Sequence, residues 1–330
     1  MQRVSHALLQ AWAIDVLARV GAAPAAAHDC ARLLVRTSLR GVDTHGIARL
    51  PQYAGNLESG NCNVRAAPAV RELHGALHCD GDGGLGQQVA MVALHAAMER
   101  SRSQALVGCT IGNSGHMAAL GVLVLEAAER GLVAVLVQRT SPIMALEGFR
   151  GRAIGNNPLA FAMPVREGVP LVFDMAMSHV ARGNIVVARR DGQVGIPEGW
   201  AVDPEGQPTT DIAQALRGAM LPMAGHKGIG LAMLVECLAG SFTGTSGDTT
   251  GAFLLVANPD LLVGRQAFDA SVQQWLGTYR QSAGSAGRYP GERQARCEAE
   301  RLADGIPLGP GLQQELLALA QRLGVPFPPG

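Results

Sequence analysis

Gly81-Asp82-Gly83-Gly84-Leu85-Gly86 satisfies the spacing G-x-G-x-x-G between a strand-like run, Ala76 to Cys79, and a stretch of helical periodicity, Gln87 to Arg100. In a Rossmann unit such glycines let a pyrophosphate approach a helix N-terminus, and an acidic residue further on holds the ribose. Here the next strand candidate, Leu106 to Ile111, runs into Gly112-Asn113-Ser114 with no acid at its end. The stretch therefore reads as a strand-to-helix turn whose glycines serve backbone conformation. The chain is expected to be mixed α/β without being a Rossmann fold.

Outward from that turn, short apolar runs between glycines predict further strands at Leu132 to Val137, Leu159 to Met163, Leu171 to Met175 and Phe253 to Val256. Helical periodicity marks Gly121 to Glu129, Gly228 to Ala239 and Phe268 to Tyr279. The first 60 residues read as helical: Ser5 is placed to cap a helix bearing Leu8, Leu9, Trp12, Val16 and Val20, Gly21 to end it, and Pro24 to open a second. Gln281 to Gly287 reads as a flexible connection, followed by terminal helices over Glu292 to Ala303 and Gln313 to Leu323.

The 27 Lys and Arg balance 27 Asp and Glu, so neither nucleic acid nor a membrane surface is an expected partner. With 330 residues the chain can bury a substantial core without metal or disulfide staples. Its six cysteines, Cys30, Cys62, Cys79, Cys109, Cys237 and Cys297, are dispersed, which suits a reducing compartment. The N-terminal residues show no signal-peptide pattern, and no apolar run has membrane-spanning length, so a cytoplasmic protein is expected.

Gly41-Val42-Asp43-Thr44-His45-Gly46-Ile47-Ala48-Arg49-Leu50-Pro51-Gln52-Tyr53 sets an imidazole, a guanidinium and a phenol at four-residue intervals. On a helix beginning at or just after Gly46 they would share one face, where Arg49 grips a carboxylate and His45 moves a proton. A solvated helix face is the bland alternative. Gly112-Asn113-Ser114-Gly115-His116-Met117 puts a second histidine in a polar turn after a strand, where a cleft-lining role and a surface histidine weigh equally. Asp174, ending an apolar strand with Ser178 behind it, could bind a sugar or cap a helix. His226-Lys227-Gly228 opens a helix and offers a cation to a phosphate, although no Walker loop is present. His74, His78 and Cys79 are poorly spaced for zinc, and Ser114, His116 and Asp174 lack a nucleophile elbow, so no metal and no hydrolase triad is expected.

Together with Gly155-Asn156-Asn157-Pro158-Leu159-Ala160, Phe173-Asp174-Met175-Ala176, Ile196-Pro197-Glu198-Gly199-Trp200-Ala201, Gly206-Gln207-Pro208-Thr209-Thr210-Asp211 and Pro290-Gly291-Glu292-Arg293, these segments resemble the non-Rossmann malate/L-lactate dehydrogenase family. Its relatives include ureidoglycolate, sulfolactate and diketogulonate oxidoreductases and piperideine/pyrroline-2-carboxylate reductases. The likeness spans nearly the whole chain. It implies a helical domain from both chain ends, residues 1–70 with 285–330, and a domain built on a largely antiparallel sheet, residues 71–284. It also implies an NAD- or NADP-dependent enzyme and a homodimer. Cofactor contacts carry over to Thr140, Asp174, Met175, Ala176, Ser178, His226, Lys227, Gly291, Glu292 and Arg293. The acid/base histidine falls at His45 in some members and His116 in others.

The expected reaction is hydride transfer between nicotinamide and C2 of a small 2-oxo or 2-hydroxy acid, with Arg49, Thr44 and Tyr53 on the substrate and His45 or His116 as proton donor. The rival within the class is reduction of a cyclic imine 2-carboxylate. From another class comes an inactive nucleotide-binding interaction protein, and more remotely a metal-dependent hydrolase. Four departures from the family pattern bear on substrate and cofactor. Thr44 replaces a common Ser, Gly115-His116-Met117-Ala118 replaces Asn-His-Phe-Gly, Asn184 replaces a frequent Lys, and the link from Gly240 to Phe253 is short.

Overall fold

A computed structural model describes residues 2–245, 250–284 and 287–329. In chain order its elements are β1 (Gln2–Val4), α1 (His6–Arg19), α2 (Pro24–Leu39), α3 (Leu50–Glu58), β2 (Ala69–Leu73), β3 (Ala76–Gly84), α4 (Gly86–Arg100), β4 (Leu106–Ser114), α5 (Gly121–Ala128), β5 (Val133–Gln138), β6 (Leu159–Met163) and β7 (Leu171–Met175). They continue with α6 (Arg182–Arg190), β8 (Ala201–Val202), β9 (Pro208–Thr209), α7 (Ile212–Arg217), β10 (Ala219–Met220), α8 (His226–Val235), β11 (Ala252–Ala257), α9 (Pro259–Leu262), α10 (Arg265–Ala283), α11 (Glu292–Asp304), β12 (Ile306–Leu308) and α12 (Pro310–Leu323). Two compact units form. One comprises Met1–Val135, Ala160–Phe173 and Leu254–Gly330, the other Leu136–Leu159 and Asp174–Phe253.

The first unit carries a sheet of seven strands in the order β2-β3-β4-β11-β5-β6-β7. The sheet is mostly antiparallel. Within it β2 pairs antiparallel with β3, while β3 and β4 run parallel, joined by α4. The glycine stretch thus does sit in a strand-turn-helix of a parallel pair. A Cβ on Gly86 would lie 2.3 Å from the carbonyl oxygen of Gly115 and 2.5 Å from that of His116, so the start of α4 rests against the backbone of the turn that carries His116. Only glycine permits that approach, and it seats α4 on the turn that carries His116.

Helices α1, α2, α3 and α12 bury one shared core, in which Leu9, Leu17, Leu34, Leu50 and Leu316 are wholly inaccessible to solvent. Each such leucine contributes about 1.5–3 kcal/mol. The chain ends meet there as well, because β1 pairs antiparallel with β12, Gln2 opposite Leu308 and Val4 opposite Ile306. An ion-pair network ties helices together beside that core. Arg36 on α2 reaches Glu126 on α5 at 3.1 Å and Glu298 on α11 at 3.3 Å, and buried Arg40 holds Glu298 at 2.6 Å.

In the second unit, β10-β8-β9 form a small sheet over a core of Ala145, Val202, Ala219 and Leu221. Behind Thr140 lies a buried polar group: Asn157 accepts from the Thr140 backbone N–H at 3.0 Å and donates to Ala232 O at 2.9 Å and Glu236 Oε2 at 3.0 Å. Glu236 also pairs with Arg139.

Several local expectations change. Ser5 precedes α1 but makes no side-chain capping bond. The helix expected from about Gly46 begins only at Leu50, with Pro51 in its first turn, and Asp43–His45 and Ile47–Arg49 form two separate 3-10 turns. The reason is tertiary: a Cβ on Gly46 would meet Ser38 Oγ at 2.1 Å, and that hydroxyl accepts the Ile47 N–H at 2.9 Å, so α2 dictates the backbone path. Gln281 to Ala283 belong to α10, while residues 285 and 286 of the expected connection lie outside the described residues. So do residues 246–249 of the short link between Gly240 and Phe253.

Candidate active site

The two 3-10 turns hold His45 and Arg49 beside the β4 turn that holds His116. The His45 and His116 ring centroids are 6.3 Å apart, and the Tyr53 ring lies 6.3 Å from His116 in stacked orientation. Both imidazoles and Arg49 are half-buried, whereas Tyr53 is buried. Arg49 Nε donates to the Thr44 carbonyl at 2.8 Å and Nη1 to Gln52 Oε1 at 3.1 Å. Its Nη2 and the second Nη1 hydrogen keep an end-on fork open, and no carboxylate pairs with Arg49 among the described residues. The Arg49 charge bears on both imidazoles, and a guanidinium without a carboxylate partner among the described residues has the chemistry to take an anion.

Thr44 Oγ1 sits 3.0 Å from His45 Nδ1. Tyr53 Oη is 2.8 Å from His116 Nδ1, which also receives the Ala118 backbone N–H at 3.3 Å. Because a backbone N–H can only donate, Nδ1 of the neutral ring is an acceptor; Tyr53 donates to it and the ring proton resides on Nε2. Burial, with the nearby Arg49 charge, lowers the His45 pKa to about 4. Burial, then His45 and Arg49, lowers that of His116 to about 3. Both rings are therefore neutral at physiological pH in the free protein, chiefly because they are buried. The Tyr53 phenol is pushed up, first by burial.

The stretch from Thr44 to Tyr53 and the His116 turn, distant in sequence, thus meet. Tyr53, expected on the substrate, has its hydroxyl 2.8 Å from His116 Nδ1. Sequence reasoning passed over Gln87, the second residue of α4, which is entirely buried. A glutamine following the last glycine of the turn carries no signal that separates it from a surface residue.

Of the remaining expected positions, Thr140 is half-buried and donates through Oγ1 to Asn156 Oδ1 at 2.9 Å. Asp174 is exposed at the end of β7, Met175 and Ala176 are half-buried, and Ser178 is buried with its hydroxyl donated to Val180 O at 2.7 Å. His226 and Lys227 are exposed at the start of α8, after a Gly225 with φ of 57°. In the first unit Gly291 is buried, and Glu292 starts α11, paired with Arg280 at 2.6 Å and accepting the Tyr289 N–H at 3.0 Å. Arg280, Arg288, Glu292, Arg293 and Arg296 line a cleft of about 300 Å³. His78 spends Nδ1 on Thr110 Oγ1 at 2.8 Å, and all six cysteines are free thiols. Among the described residues no helix is long and apolar enough to cross a membrane.

The sequence profile of the malate/L-lactate dehydrogenases matches residues 4–317. The chain belongs to that family. It is 36% identical to a delta(1)-pyrroline-2-carboxylate/delta(1)-piperideine-2-carboxylate reductase of Pseudomonas putida over 98% of this chain and 97% of the relative. The solved sulfolactate dehydrogenase of Methanocaldococcus jannaschii superposes with a TM-score of 0.87 at 30% identity, covering 99% of this chain and 98% of that one. The delta1-piperideine-2-carboxylate reductase of Pseudomonas syringae pvar. tomato does so with a TM-score of 0.87 at 32% identity, over 97% and 100%. Membership makes this family enzyme an oxidoreductase acting on hydroxy acids or imines.

Proposed function

We propose that this enzyme exchanges a hydride between a nicotinamide cofactor and C2 of a small 2-oxo or 2-hydroxy acid whose carboxylate is held by Arg49. The observation that carries the reading is the Arg49 fork, free of any carboxylate among the described residues and with its charge acting on both His45 and His116. Reduced nicotinamide supplies the hydride when bound. Arg49, fixed by the Thr44 carbonyl and Gln52, orients the substrate; Thr44 lies beside it. His116, with Nδ1 turned to Tyr53, presents Nε2 as the proton donor to the forming alkoxide. His45, bonded to Thr44, lines the other side.

Arg49→Ala should raise KM for the carboxylate substrate about 10- to 150-fold, as expected for losing a charge-assisted hydrogen bond, with cofactor affinity unchanged. Steady-state kinetics with pyruvate-like and malate-like acids would check it. An unchanged KM would remove Arg49 from substrate binding.

One observation favours cyclic imine 2-carboxylates as a second substrate class. An iminium carboxylate accepts hydride without needing a proton, and both imidazoles of the free enzyme are neutral at pH 7. The relative from Pseudomonas putida bears the name of such a reductase. Parallel assays with both substrate classes decide between them.

For the cofactor we propose the positions that the family resemblance gives: Thr140, Asp174, Met175, Ala176, Ser178, His226, Lys227, Gly291, Glu292 and Arg293. The donor set around Glu292 suits a phosphorylated nucleotide, since four guanidiniums face one carboxylate there. NADPH should therefore bind about tenfold tighter than NADH, with the difference lost in Arg293→Ala. Equilibrium titration of cofactor fluorescence measures this without turnover, and equal affinities would assign the arginines to solvent. We also propose that residues 1–70 and 285–330 act as one helical domain beside residues 71–284. The core shared by α1, α2, α3 and α12 supports that grouping. A homodimer is proposed on the family resemblance, and a cytoplasmic location on the dispersed cysteines and the N-terminal sequence.

A further inference from the structure

The chain from Asp43 to Arg49 runs as two 3-10 turns, and packing alone does not hold the first of them, since none of Asp43, Thr44 and His45 is buried. Its backbone ties are few: the His45 N–H donates to Val42 O at 3.1 Å and the Gly46 N–H to Asp43 O at 3.4 Å, the latter longer than a good amide bond. The second turn is anchored on α2, where Ser38 Oγ accepts the Ile47 N–H at 2.9 Å. The anchor of the first turn comes from the other end of the chain.

Arg301, in the last turn of α11, donates through Nη1 to Ser38 O and to Asp43 Oδ1, both at 2.5 Å, and through Nη2 to Asp43 Oδ2 at 3.1 Å. One guanidinium plane therefore spans the end of α2 and both oxygens of the residue that opens the turn. A two-pronged contact of this kind fixes direction as well as distance. Four residues earlier on α11, Cys297 packs on the chain just ahead of the turn: a Cβ on Gly41, whose φ is 75°, would lie 2.9 Å from its Sγ. From Asp43 the geometry reaches the candidate site in one residue. The Thr44 carbonyl accepts Arg49 Nε at 2.8 Å, and the Thr44 hydroxyl lies 3.0 Å from His45 Nδ1. Any change in the pitch of the turn would swing that carbonyl, and with it the plane of the Arg49 guanidinium.

We propose that Arg301 is a positioning residue for substrate recognition: by clamping Asp43 to Ser38 it sets the Thr44 carbonyl, and so the direction in which Arg49 presents its open fork to a carboxylate. The role is one of geometry, because the Arg301 fork is spent on Asp43 and Ser38 and does not face the substrate. A lysine would keep the charge, but as a single point it could not span three acceptors in one plane. Asp43 is half exposed, and an ion pair with such a partner adds little to stability, so the loss of the clamp is read in recognition and not in folding. The inference rests on the reading of Arg49 as carboxylate receptor.

Steady-state kinetics with pyruvate and with delta(1)-piperideine-2-carboxylate provide the test. Arg301→Lys should raise KM for the carboxylate substrate about tenfold, with kcat and cofactor affinity changed less than about twofold. A merely structural defect would lower the active fraction, and so kcat, while leaving KM in place. In an Arg49→Ala background Arg301→Lys should add nothing to KM. Asp43→Asn, which keeps the size but loses the charge and one acceptor oxygen, should raise KM in the same direction. Nitrogen-15 spectra of the arginine Nε–H groups in the free protein should show the Arg49 signal displaced in Arg301→Lys, without any turnover. An unchanged KM, a KM effect that persists in full in Arg49→Ala, or an unmoved Arg49 signal would overturn the proposal. Should Arg301→Lys fail to fold, Asp43→Asn carries the same three readouts. Arg49→Ala with unchanged KM, together with a displaced Arg49 signal in Arg301→Lys, would instead defeat the carboxylate reading and leave the hold of Arg301 on Arg49 intact.

Discussion

His116→Ala should lower kcat for a 2-oxo acid by about 10²–10⁴-fold, the usual worth of a positioned general acid, while leaving cofactor affinity unchanged. His45→Ala should cost less, because Nδ1 of His45 is engaged by Thr44 and no second donor fixes its tautomer. With a cyclic imine the His116 loss should shrink to a few-fold, about the scale of lost packing, since the substrate arrives already protonated. Equal losses on both substrates would show that His116 shapes the site without donating the proton. The same variant has a stability signature of definite sign. The free His116 pKa is lowered from 6.5 to about 3, so below pH 6.5 the unfolded chain binds a proton that the folded one refuses. The corresponding stability is complete above that pH and is lost as acid is added. Removing the imidazole should therefore reduce the drop in melting temperature between about pH 7 and pH 5, which differential scanning calorimetry would follow.

Gly86→Ala should be strongly damaging to both stability and activity. The added carbon would fall 2.3 Å from Gly115 O, 2.5 Å from His116 O and 2.6 Å from the His116 carbonyl carbon, all backbone atoms with no side-chain freedom to yield. Either α4 or the His116 turn must move. Destabilisation of about 3 kcal/mol or more is expected in urea unfolding. In whatever fraction stays folded, a displacement near 1 Å at His116 should lower kcat by about 10²-fold. A Gly86→Ala protein with unaltered urea midpoint and kcat would mean that the turn and the helix do not touch as described. The prediction also separates two meanings of the glycine-rich stretch. If it cradled a phosphate, the alanine would weaken cofactor binding first; as a helix-to-turn contact it should disturb the histidine and leave cofactor affinity nearly unchanged.

Much of the architecture was open to reading along the chain. The runs at Leu132, Leu159 and Leu171 are strands, and the first 60 residues are helical, because local periodicity reports which face of an element is buried. The segments near His45 and His116 were each recognisable as polar turns with titratable groups. What spacing misjudged was the path between His45 and Tyr53. A helix with residues at four-residue intervals would have aligned them along one face; Gly46 against Ser38 instead produces two 3-10 turns, and the side chains converge by tertiary contact.

Tyr53 and Gln87 show the limit more sharply. Tyr53 and His116 are 63 residues apart, and nothing local says that the phenol reaches the imidazole. Nor does any local signal say that Gln87 is buried, since an amide early in a helix is ordinarily at the surface.

By itself the order of residues determined the elements, the family and the chemical inventory of one guanidinium and two imidazoles, because periodicity, turn propensity and side-chain type are properties of short stretches. Only the tertiary structure decided which ring nitrogen of His116 carries the proton and which side of Arg49 stays open. Those are properties of what lies within about 3 Å of an atom, and its neighbours come from chain segments that meet only after folding.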